Sequence, residues 1–157
     1  MADKETDSTS VAWRKTARSR LRFELGGLAF ARQHGFSSED YARHFWDRNP
    51  SSWMGKEKPE PAEYLRKEAK AFTELYPGVS FKVLETDDDR AELVFTRGCL
   101  AGWGKDPWAL ARSLGLTDED VCAYCRESFN VWAQHLGLRT SIGPEKDGNC
   151  HLRVSGA

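Results

Sequence analysis

The spacing of apolar residues changes as the chain passes Pro77-Gly78, and this limits the fold more than any other feature of the sequence. Before that point they return every three or four positions. Trp13, Ala17, Leu21, Leu25 and Leu28 form one such stripe, and Tyr64, Ala71, Phe72 and Leu75 another. After it, Val79, Phe81 and Val83 alternate with Ser80 and Lys82. Beyond an acidic turn at residues 86–89, Ala91, Leu93 and Phe95 alternate with Glu92 and Thr96. The first spacing buries one side of a helix, and the second buries one face of a sheet. The chain therefore reads as α+β, with helices packed on a small antiparallel sheet made of two β-hairpins.

Local signals set the order of elements. A helix is expected from Val11 to about Arg32, with Gly26-Gly27 as a kink. Ser37 or Ser38 caps a second helix carrying Tyr41, Phe45 and Trp46, which Asn49-Pro50 ends. A Lys-, Glu- and Pro-rich loop over 51–61 leads to the third helix. Past the first hairpin, Asp106-Pro107 opens a short helix to Leu114. Thr117 then caps a longer one with an acidic first turn, running to about Leu136. Leu138, Thr140 and Ile142, a turn over 143–148, and Cys150, Leu152 and Val154 make the second hairpin. Residues 1–10 read as a disordered tail and 11–157 as a single domain.

With 157 residues, 39% hydrophobic and a net charge of -1, the chain has the size of one core and no general field for nucleic acid. Arg14, Lys15, Arg18, Arg20 and Arg22 spread over more than one side of their helix and read as solvated surface. No apolar run is long enough to span a bilayer, and the first residues lack the layout of a secretory signal. The expectation is a cytoplasmic protein with a small-molecule substrate, no nucleic acid and no membrane; a homodimer is compatible with this.

Chemistry concentrates in the second half. All four cysteines, Cys99, Cys122, Cys125 and Cys150, lie in the last 59 residues. Cys122, Cys125, Phe129, Trp132 and Leu136 share the stripe of the long helix. Cys150 shares a strand face with Leu152 and Val154, and Cys99 lies in a glycine-rich loop with Trp103. A loop, a helix and a strand thus aim sulfur at one region, walled by Trp103, Trp108, Phe129 and Trp132. Three roles fit: buried packing, a nucleophilic thiolate, or four zinc ligands at Cys99, Cys122, Cys125 and Cys150. The spacing is poor for zinc, because one pair sits on a helix and the other two cysteines are single. No cofactor is expected, with zinc as the alternative. Arg139 is a candidate for a substrate carboxylate. His151 is a further substrate candidate, although it points away from Cys150 and reads first as a surface imidazole; His135 and His44 read as half-exposed and inert.

The segments RGCLAGWGKDPWALARSLGL, CAYCRESF and LRTSIGPEKDGNCHLRV resemble the L-2-amino-thiazoline-4-carboxylic acid hydrolase-like family. Cys99, Cys125, Phe129, Arg139-Thr140, Gly148 and Cys150 carry the resemblance over about the last 60 residues. More distantly the layout resembles 4-vinyl reductase and TRAPP-type ligand-binding domains. The family resemblance implies hydrolytic opening of a thiazoline-like ring by a cysteine nucleophile, with Cys125 preferred and Cys99 and Cys150 as partners. His151 stands where the family has aspartate, and Ser128 where it has an acidic residue. The distant resemblance implies a non-catalytic small-ligand sensor instead.

Overall fold

The computed structural model describes residues 2–47, 54–55, 58–76, 78–87, 89–96 and 108–157. Helix α1 spans Ala2–Gln33, α2 Ser38–Trp46 and α3 Pro61–Leu75. Strands β1 (Phe81–Thr86) and β2 (Arg90–Phe95) follow, then α4 (Ala109–Ser113) and α5 (Asp118–Gln134). Strands β3 (Leu138–Pro144) and β4 (Cys150–Gly156) end the chain. The fold is α+β. The two hairpins join through β2 and β4 into one antiparallel sheet of order β1-β2-β4-β3.

The sheet positions the site through its register. Ala91, Leu93 and Phe95 pair with Val154, Leu152 and Cys150, so one face carries the apolar positions of both central strands. Helix α3 lies on β2 and β4, and α5 lies on β3. Phe72, Phe129, Ala133, Leu136 and Ile142 fill the space between. A second cluster forms where Leu21, Leu25 and Leu28 of α1 meet Ala42, Ala111, Leu116, Val121 and Tyr124. Helix α5 contributes to both clusters. That explains why its buried residues exceed a single stripe.

Several expectations change. Helix α1 begins at Ala2 rather than near Val11, so the polar segment read as a tail is helical. It also continues through Gly26-Gly27. Gly27 is needed for another reason: a Cβ there would lie 2.2 Å from the Tyr41 hydroxyl oxygen. Val83, expected inside, is 47% exposed. Strand β1 is an edge, and its register with β2 shifts between Val83 and Glu85, which breaks the alternation. The starts of α2 and α5 agree with the capping pattern. Ser37 and Thr117 each accept from the backbone N–H three residues on, and Asp40 and Asp120 reach back to the cap N–H. The loop holding Cys99 and Trp103 lies outside the described residues, as do Asn49-Pro50 and Asp106-Pro107.

Candidate functional site

A cavity of about 310 Å³ opens between α1, α3, α5 and the β3–β4 end of the sheet. Its size falls at the low end of small-molecule sites, about 300–1,000 Å³. The walls are mainly aromatic. Phe72 and Phe129 meet edge to face at 6.0 Å, and Trp46 and Trp132 do so at 5.5 Å. Trp108 also lines the cavity, half-buried.

Three of the four cysteines come together at this cavity. Cys122, Cys125 and Cys150, all half-buried thiols, line this cavity from α5 and β4. Cys99, proposed as the third sulfur beside Cys125 and Cys150, lies outside the described residues, as does Trp103. Burial pushes the Cys122 thiol above its ordinary value, and Glu119 and Asp118 add to this, although Arg126 opposes it. The acidic first turn that caps the helix thus works against a thiolate at Cys122. Among the described residues no three His, Cys, Asp or Glu side chains gather as metal ligands.

One wall is polar, and the sequence did not single it out. Tyr124 donates to Glu24 Oε1 at 2.7 Å and accepts from Trp46 Nε1 at 3.1 Å. Arg20 Nη2 donates to Glu24 Oε2 at 3.5 Å and to the Tyr76 hydroxyl at 3.4 Å. Arg20, read as part of a solvated basic face, therefore turns inward. Burial holds the Tyr124 and Tyr76 hydroxyls firmly protonated, with Glu24 adding to the effect.

Glu68 also lines the cavity, from the middle of α3. It is buried, and desolvation raises its carboxyl to about 7, with Tyr64 acting in the opposite direction. Tyr64, one turn earlier, is fully buried. Its hydroxyl is near enough to act on that carboxyl, yet it has no partner of ordinary hydrogen-bond geometry. Among the described residues no Lys, Arg or His forms an ion pair with Glu68. The signal was present as an acidic residue inside the stripe of Tyr64, Leu65 and Phe72.

Two residues proposed for substrate lie elsewhere. Arg139 is exposed on edge strand β3 and is not part of the cavity wall. His151 points away from Cys150, as strand alternation requires, but it is not the surface imidazole expected. Its Nδ1 lies 2.7 Å from Glu92 and its Nε2 3.0 Å from Asp147, and the two carboxylates raise its basicity. Arg153 bonds both Glu92 and Glu145, closing an ionic patch on the outer face of the sheet. The turn after β3 folds Asp147 back over the ring, an arrangement that alternation alone does not reveal. His135 pairs with Asp47 at 3.1 Å. Glu127 pairs with Arg43 at 2.6 Å.

No protein-family model and no curated protein matches the chain. Among solved structures it is similar to the Fe(II) unliganded H-NOX protein from K. algicida, with a TM-score of 0.41 and 16% identity. A single-substitution mutant of that protein matches with a TM-score of 0.38 and 14% identity. Both matches cover 76% of this chain, which spans 61% of the length of those chains. No helix among the described residues is long and apolar enough to cross a membrane.

Proposed function

We propose that the protein binds a small molecule with a largely apolar body in the cavity between α1, α3 and α5. The observation that carries this reading is the cavity itself. About 310 Å³ of space stays open where aromatic rings from three helices meet, although protein interiors otherwise pack nearly without voids. Convergent polar groups, Glu24 with Arg20 on one side and Glu68 on another, supply orientation.

The test is titration of the neutral fluorophore N-phenyl-1-naphthylamine into wild type and into Ala71→Trp. Ala71 lines the cavity from α3, and an indole there fills it. Saturable binding to wild type, lost in a variant with unchanged circular dichroism, is the expected result. Equal binding by both proteins removes the cavity as the site.

A second reading is thiol-dependent hydrolysis of a thiazoline-like or amino-acid-derived heterocycle, with Cys125 as nucleophile and Cys150 and Cys99 beside it. The presence of Cys125 and Cys150 on one cavity favours it. Among the described residues, however, no histidine lines that cavity to serve as base. Titration of native thiols with a chromogenic disulfide decides the matter. One fast thiol, lost in Cys125→Ser, supports hydrolysis; uniformly slow thiols leave binding alone.

A further inference from the structure

Among the described residues one charged group of the cavity is left without an ion-pair partner, and it points to a ligand class. Four formally charged side chains line it: Arg20 and Glu24 from α1, Glu68 from α3 and Arg126 from α5. Arg20 and Glu24 pair with each other. Arg126 pairs with Glu119 at the rim. Glu68 is left without a cation among the described residues, beside a fully buried Tyr64 hydroxyl that also lacks a well-aligned partner. The remaining titratable groups facing the space are the Cys122, Cys125 and Cys150 thiols and the Tyr76 and Tyr124 hydroxyls, none of which supplies positive charge.

A buried carboxylate with no counter-charge is costly, and natural sequences rarely keep one in an apolar wall. Aromatic rings line the same cavity, and aromatic faces attract cations through their quadrupoles. We infer that the ligand is a compact amine with an apolar body, whose ammonium group pairs with Glu68 while its body lies against Phe72, Phe129 and Trp132. This rests on the binding reading above and adds the chemical class to it. Hydrogen bonding and charge both favour the ammonium over a neutral group of the same shape.

Proton linkage follows. A free Glu68 near 7 gives up its proton when the ammonium arrives, so affinity rises with pH up to about that value and then levels until the amine itself deprotonates. A neutral ligand has no reason to share this dependence.

The experiment compares 2-phenylethylamine with 2-phenylethanol, nearly the same shape without the charge, by calorimetry and by displacement of N-phenyl-1-naphthylamine. At pH 8 wild type should prefer the amine by about tenfold or more. At pH 6 amine binding should be about tenfold weaker, with alcohol binding unchanged. Glu68→Gln, close to isosteric, should lose the preference, the amine falling to the level of the alcohol in that same variant. Equal binding of amine and alcohol by wild type, with the fluorophore still bound, overturns the amine assignment and leaves the cavity reading intact. A preference that survives in Glu68→Gln overturns the role of Glu68. Failure of fluorophore, alcohol and amine alike overturns the binding reading itself. Should Glu68→Gln not fold, the wild-type pH series decides: an amine preference that does not change between pH 8 and pH 6 overturns the proposal.

Discussion

Glu68 illustrates what a single buried carboxyl does to the molecule. Its value is about 7 in the folded chain against an ordinary 4.5, so between these limits the folded state holds a proton that the unfolded state has released. Stability from this group is therefore complete below about 4.5, falls as pH rises towards 7, and stays low above it. Removing the charge should reverse that loss. Glu68→Gln is expected to gain stability over wild type by up to about 3 kcal/mol at pH 8 and much less at pH 5, checked by urea unfolding at both values. A flat difference across the range would mean that Glu68 is hydrated in solution. Cys122 makes a second residue-scale case. Burial and its acidic neighbours keep the thiol protonated, so it should react with thiol reagents more slowly than an unstructured cysteine, measured after replacing the other three cysteines by serine. Sequence spacing located these residues on helices but could not reveal their surroundings. Cys122 sits on the first turns of a helix, whose dipole favours a thiolate, yet burial first and the carboxylates of that turn second raise the thiol.

Elements end where their caps are, and this part of the structure was largely legible. The Thr117-Asp120 and Ser37-Asp40 pairs sit at the predicted helix starts. Thr117→Ala should cost about 1 kcal/mol in chemical denaturation, since two reciprocal hydrogen bonds are lost at the entry to α5. The β3–β4 turn was legible as a turn but not as a lid. Asp147 is drawn down to about 2, first by Asn149 and then by His151, and it covers a ring that Glu92 holds from below. The imidazole should titrate above its ordinary 6.5 by nuclear magnetic resonance, and Glu92→Gln should shift that midpoint down. Because His151 is favoured in its charged form, its contribution to stability is full below about 6.5 and is lost as pH rises through the higher folded value. Alternation could not foresee this, because the partner carboxylates come from another strand and from a loop.

At the scale of the molecule, periodicity sufficed for the α+β architecture and for both hairpins. It did not give the strand order, because the pairing of β2 with β4 joins segments about 60 residues apart and is decided by matching apolar faces. Leu152 lies in the middle of that pairing, fully buried opposite Leu93. Leu152→Ala should cost about 2–5 kcal/mol by calorimetry or denaturant, and a smaller loss would argue against the register. Nor did periodicity show that α5 divides the interior into two clusters, with the cavity bounded by Leu21 and Leu25 of one and by Phe72 and Phe129 of the other. An occupant of that seam touches both halves. Amide hydrogens in α1 and in the central strands should then become slower to exchange with deuterium together as the seam fills, as if two loosely hinged plates had been bolted through one hole.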